Sequence, residues 1–162
     1  MRIAIIADTH DQVQELKSLI HKLSEQEIQC LIHAGDWVSA FTLEYYNTIK
    51  YPIRGVWGNN IGDPRFPAMA KKKGIDLEIA EELLLELGGK KIFVCHELVE
   101  APPDTDVVIY GHDHKAKIER KNGVLYLNPG TLLRETFPWL KSKPSYIIYD
   151  TDTDSAELFF LD

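Results

Sequence analysis

Residues 2–10 read RIAIIADTH, an apolar β-branched run that stops on Asp8, with His10 two positions later. A short apolar stretch without polar alternation predicts a strand buried on both faces, as in a parallel sheet. The same form recurs as CLIHAGD at 30–36 and as IRGVWGNN at 53–60. Between these runs lie two amphipathic segments. Over 12–25, Val13, Leu16, Leu19, Ile20 and Leu23 recur at helical spacing, with Asp11 placed to cap the helix. Over 39–49, Phe41, Tyr45 and Ile49 form the expected apolar side of a second helix. The first sixty residues therefore read strand, helix, strand, helix, strand, which predicts parallel pairing through right-handed crossovers.

Beyond a short helical stretch near 65–73 the syntax changes to hairpins. EELLLELGGKKIFVCHE (81–97) turns at Gly88–Gly89, AKIERKNGVLYLNPG (116–130) at Asn122–Gly123, and SYIIYDTDTDSAELFFL (145–161) within 151–155. APPDTD (101–106) reads as a rigid loop before a strand at 107–110, and 131–144 as a long loop. The expected fold is α/β: a two-sheet αββα sandwich forming a single domain over 1–162.

Composition narrows the classes of function. With 162 residues the chain can bury a sizeable core. Its formal net charge of −7 argues against a broad nucleic-acid or anionic-membrane footprint. Cys30 and Cys95 both sit in apolar runs, which favours buried thiols over a disulfide framework. The N-terminal apolar run is five residues long and meets an aspartate at once, so a signal segment is not expected. Nothing approaches the roughly 18 apolar residues of a membrane span. A cytoplasmic location is the expectation.

Polar residues that close the apolar runs carry the chemistry. In YGHDHK (110–115), an extended backbone would point His112 and His114 to one side and Asp113 away, and the same rule pairs Asp8 with His10. Asp8, His10, Asp36, Asn59, His96, His112 and His114 all follow such runs. Sites in open α/β sheets form outside the carboxyl ends of strands. Mixed oxygen and nitrogen donors suit Mn²⁺, Fe, Zn²⁺ or Ni²⁺ better than Ca²⁺.

The ordered set D-x-H (8–10), G-D (35–36), G-N (58–59), His96, G-H-x-H (111–114) and NPGT (128–131) resembles the calcineurin-like metallophosphoesterase superfamily, in particular its small bacterial and archaeal phosphodiesterases. The resemblance implies two divalent ions, Mn²⁺ first, with Ni²⁺, Fe, Zn²⁺ or Mg²⁺ as alternatives. Asp36 would bridge them; Asp8, His10 and His114 would complete one site, and Asn59, His96 and His112 the other. It also implies that a metal-bridging hydroxide attacks the phosphorus of a small phosphodiester, with Asp36, Asn59 and His96 as the catalytic set. Two carboxylates, two divalent ions and a hydroxide leave a local charge of about +1, which draws a phosphate ester to an acidic protein. The partner is then a small phosphate ester; no nucleic-acid groove or membrane segment is evident, and a monomer or homodimer is expected.

Three positions depart from the family pattern. Asn60 stands where relatives carry His or Cys; an amide cannot act as a general acid, and a substrate contact is its expected role. Glu97 follows His96 where many relatives have glycine, leaving it free to face away, add a ligand or repel phosphate. Asp113 replaces a common threonine. A rival reading is a non-catalytic interaction scaffold on the same fold, similar to the retromer subunit of this superfamily; a metal-binding regulatory protein is a third. Of the other residues, His21 and His33 are assigned structural roles, His33 with a link to Asp36. Trp37 and Trp139 are candidates for a pocket wall or partner surface.

Overall fold

Ile3 and Ile5 point one way from the first strand and Ala4 and Ile6 the other, and each pair enters a different core. That is why RIAII has no polar face. The strand, β1 (Arg2–Ile6), is central in a six-stranded sheet of the computed structural model, which describes residues 1–134 and 142–162. Its neighbours are β2 (Cys30–His33), parallel, and β10 (Ser145–Asp150), antiparallel. The sheet continues through β3 (Ile53–Val56) and β4 (Leu77–Ala80) on one side and β11 (Ser155–Phe160) on the other. A second sheet holds, in order, β5 (Leu83–Leu87), β6 (Lys90–Val94), β7 (Val107–Ile109), β9 (Val124–Asn128) and β8 (Lys117–Lys121). β6, β7 and β9 run parallel to one another.

Between the sheets Ile3, Ile5, Ile32, Val94, Ile109 and Leu127 form one core. On the far side of the six-stranded sheet, Ala4, Ile6 and Leu31 meet Leu16, Leu19 and Leu23 of α1 (Val13–Ser24), Leu43 and Tyr46 of α2 (Leu43–Tyr46), and Phe66 and Ala70 of α3 (Phe66–Lys72). Each fully buried aliphatic side chain contributes about 1.5–3 kcal/mol.

The two-sheet α/β sandwich is thus as expected, with the helices gathered on one sheet. Among the described residues no helix covers the outer face of the five-stranded sheet. The connection from β6 to β7 contains Pro102 and Pro103, which cannot continue a helix. Phe93, Cys95, Val108 and Tyr110 on that face pack against Ala101 of this connection.

Several local expectations change. The helix expected over 39–49 is a 3₁₀ turn (Ala40–Thr42) followed by the single turn of α2; of its expected apolar side Phe41 is exposed while Tyr45 and Ile49 pack against the core, and Ala40, Thr42, Leu43 and Tyr46 are buried. Asp11 does not cap α1. Its carboxylate accepts hydrogen bonds from the Ser39 backbone N–H (2.8 Å) and hydroxyl (2.5 Å), tying the first ligand loop to the second. β4 was not anticipated. It carries three partly buried apolar residues, Leu77, Ile79 and Ala80, and the chain then crosses to β5 within Glu81–Glu82, so 77–87 has no turn residue to divide it. The three hairpins form where expected. Gly88 and Gly89, and Asn122 and Gly123, take positive φ, matching two-residue turns whose twist suits antiparallel strands. Both cysteines are free and buried. No helix among the described residues is long and apolar enough to cross a membrane. Residues 135–141 of the expected long loop, with Trp139, lie outside the described residues.

Candidate metal centre

Backbone hydrogen bonding continues past the strand ends and stitches the polar loops together. Asp8 N–H donates to Gly35 C=O (2.9 Å), Asp36 N–H to Trp57 C=O (2.8 Å), and Gly111 N–H to His96 C=O (3.0 Å). Carboxyl ends of strands from both sheets therefore open on one edge. The structure brings all seven expected side chains together there.

They converge by a different route from the one expected. Asp8, His10, Asp36, His112 and His114 all have φ between 40° and 71°, in the left-handed region. The period-two rule for extended chains does not apply to them. Such a conformation costs a non-glycine residue about 1–2 kcal/mol, and five of the seven adopt it. Asp113 nevertheless points away as expected: its Oδ1 accepts hydrogen bonds from Lys115 N–H (3.0 Å) and from the Asn128 amide (2.7 Å).

Distances divide the cluster. Asp8 Oδ1 lies 3.3 Å from His114 Nε2 and 3.7 Å from His10 Nε2. Asn59 Oδ1 lies 2.7 Å from His96 Nε2 and 3.0 Å from His112 Nδ1. Asp36 stands between, with Oδ2 3.3 Å from His10 Nε2 and Oδ1 3.5 Å from His96 Nε2. Asp8, His10 and His114 form one potential ion-binding group, and Asp8, Asp36 and His96 another. Burial raises the Asp8 carboxyl, but the imidazoles of His10 and His114 beside it pull it further down, to about 2.

This donor set fits cations. His96 Nδ1 lies 2.8 Å from Ala34 C=O, an acceptor, so it must carry the proton. In the neutral ring Nε2 then presents a lone pair, and it faces Asn59 Oδ1 and Asp36 Oδ1, which are acceptors too. A backbone carbonyl holding the far nitrogen of an imidazole is the usual support for a metal-binding histidine. Asp8 Oδ1 and His10 Nε2 are also buried without a hydrogen-bond partner. Acceptors that face one another at this range are stabilised by positive charge placed among them.

Glycines set the closest approaches. A Cβ on Gly58, whose φ is 90°, would lie 2.3 Å from Asp36 Oδ1; one on Gly35, at φ 100°, would lie 2.4 Å from His96 Nδ1. Gly58→Ala is expected to destabilise the protein by roughly 1–3 kcal/mol and to weaken Mn²⁺ binding. Urea unfolding and metal titration of the variant check both.

Supporting residues lie behind the cluster. His33 is fully buried and stacks on Trp37 with ring centroids 3.7 Å apart. Gly35 N–H donates to its Nδ1 (3.2 Å), so Nε2–H is left to donate to Thr9 Oγ1 (3.1 Å), and the Thr9 hydroxyl donates to Asp36 C=O (3.4 Å). Trp37 is 1% exposed and its indole N–H donates to Val56 C=O, so it is core and not a pocket wall. Thr131, not singled out from the sequence, donates its hydroxyl to Asp8 C=O (2.8 Å). The NPGT stretch was the available signal. His21 is on the exposed face of α1, 3.8 Å from Glu25. Glu97 is at the exposed rim, 4.0 Å from His112 Nε2.

Asn60 sits over Asp36. Its backbone N–H donates to Oδ1 (2.8 Å) and its side-chain amide to Oδ2 (2.7 Å).

The family model described as the calcineurin-like phosphoesterase superfamily domain matches residues 1–154. Phosphodiesterase MJ0936 of Methanocaldococcus jannaschii is 31% identical over 161 residues, covering 94% of each chain. "Probable metallophosphoesterase YsnB" of Bacillus subtilis is 30% identical over 177 residues, covering 100% of this chain and 91% of its own. The solved structure of an archaeal phosphodiesterase superposes with a TM-score of 0.89 at 27% identity, covering 99% of this chain and 100% of that one.

Proposed function

Since the chain belongs to the calcineurin-like phosphoesterase superfamily and is a phosphoesterase, we propose that it hydrolyses a small phosphodiester with two divalent metal ions, Mn²⁺ first among the candidates. One ion would be held by Asp8, His10 and His114, the other by Asn59, His96 and His112, with Asp36 shared. The observation that carries the reading is the meeting of Asp8 Oδ1, Asp36 Oδ1, Asn59 Oδ1 and His96 Nε2 at one strand-end edge. A pair of divalent ions, when bound, lowers the pKa of a shared water and offsets charge on phosphoryl oxygens.

The chain's own residues do the rest. Ala34 C=O fixes the His96 tautomer, and Asn59 and His112 set the width of the second position. Thr131 and the His112 backbone N–H hold Asp8 by its carbonyl and by Oδ2. With Asp8 fully buried and Asp36 only 2% exposed, solvent screens the carboxylates little and charge interactions are strong. Preference for a diester rests on the similarity to the archaeal phosphodiesterase. The site lies within one unit spanning 1–162. A cytoplasmic setting and a monomer or homodimer complete the reading.

The test is hydrolysis of a chromogenic aryl phosphodiester and of the matching monoester by chelator-treated protein. Mn²⁺, Ni²⁺, Zn²⁺, Mg²⁺ and anaerobic Fe²⁺ are each added back, with His114→Gln as control. Metal-dependent diester cleavage, lost in His114→Gln, is the expected result. Metal uptake without cleavage of either ester would move the reading to an interaction scaffold or a metal-binding regulator.

A further inference from the structure

Asn60 does more at Asp36 than occupy space. An ionised carboxylate offers about four lone-pair positions, two on each oxygen. The Asn60 backbone N–H takes one on Oδ1 and its side-chain amide takes one on Oδ2. One position remains on each oxygen, and the two oxygens face different halves of the cluster. Oδ1 faces His96 Nε2 at 3.5 Å, and Oδ2 faces His10 Nε2 at 3.3 Å. Gly58 crowds the same carboxylate from the chain side, where even a Cβ would meet Oδ1 at 2.3 Å.

Building on the metal-centre reading above, we propose that Asn60 is a positioning residue that holds Asp36 turned towards both halves of the cluster, so that two metal ions could share it. A carboxylate free to turn about Cβ–Cγ can present both oxygens to a single ion, which leaves the other ion short of a ligand. The side-chain amide opposes that rotation, because turning Asp36 breaks the 2.7 Å bond to Oδ2. The bond to Asp36 uses one of the two N–H donors of the amide, so a substrate contact, the role expected from the sequence, is compatible with this hold.

Metal titration separates this role from a structural one. Chelator-treated wild-type, Asn60→Leu and Asn60→Ser proteins are titrated with Mn²⁺ by calorimetry, and electron paramagnetic resonance spectra are recorded at two equivalents. Leucine keeps the shape of the amide without its donor; serine stays polar but is too short to reach Oδ2, and it serves if Asn60→Leu fails to fold. Wild-type protein is expected to bind two ions and to give the spectrum of a spin-coupled pair. In the variants the second equivalent should weaken about 10–100-fold, the range for groups that orient a ligand. The coupled spectrum should then give way to that of isolated ions, with thermal melting of the metal-free protein little changed. Variants with wild-type stepwise affinities and a coupled spectrum overturn the inference, whatever their melting temperatures. A wild-type protein that takes up fewer than two ions overturns the metal-centre reading itself, and this inference with it.

Discussion

Asp36→Asn is expected to lower diester turnover by roughly 10³-fold or more, beyond the 10–100-fold typical of a group that only orients a ligand. The substitution keeps the shape and removes one oxygen and the negative charge. An NH₂ at the Oδ1 position would meet the Asn60 backbone donor, which cannot turn, and an NH₂ at the Oδ2 position requires the Asn60 side-chain amide to flip and present its oxygen. Calorimetric titration with Mn²⁺ should show loss of at least the second equivalent. An Asp36→Asn protein that is fully active with two ions bound would remove Asp36 from the shared position.

Acid is expected to unfold the metal-free protein earlier than a surface histidine could explain. Burial holds the His33 imidazole down, at about 3 against 6.5 for a free side chain, despite the neighbouring Asp8 carboxylate, which raises it. The unfolded chain thus binds the extra proton between these values, and the stability that neutral His33 brings is complete above about pH 6.5. It is lost as the pH falls through that window towards 3. At 1.36 kcal/mol per unit, about 2 kcal/mol should be gone by pH 5. Asp8 adds a loss of the same sign lower down, between 3.8 and about 2. The structural cause is specific: Nδ1 accepts from Gly35 N–H, and a proton there would set donor against donor. Urea unfolding at pH 7.5 and pH 5, with and without His33→Gln, measures the effect. An equal slope with pH in both proteins would assign the acid response elsewhere.

The candidate site was largely legible because its residues stand where apolar strands stop. Asp8, Asp36, His96 and His112 each interrupt a run that could only be a buried strand, and carboxyl ends of strands in such folds share an edge. The reason given for their convergence was the wrong one. Extended geometry would have paired His112 with His114, whereas both adopt positive φ in a loop that is hydrogen-bonded to Asp8 and Asn128. Trp37 misled because aromatic residues beside a site motif serve walls and cores alike, and only the packing of His33, Tyr46 and Phe66 around its ring decides between them.

By itself the sequence determined the alternation that sends Ile3 and Ile5 into one core and Ala4 and Ile6 into another, the hairpins at Gly88–Gly89 and Asn122–Gly123, and the identity of the polar residues at the strand ends. These follow from period, turn chemistry and the cost of burying unpaired polar groups, all of which are local. Tertiary structure alone decided that 77–80 pairs with β3 while 83–87 crosses to the other sheet, because pairing partners lie far away in the chain. It alone decided that Asp11 binds Ser39, that His33 reaches Asp36 through Thr9, and that Asn60 clasps both oxygens of Asp36. A hydrogen bond between loops depends on distance and direction, and neither is written in residue spacing.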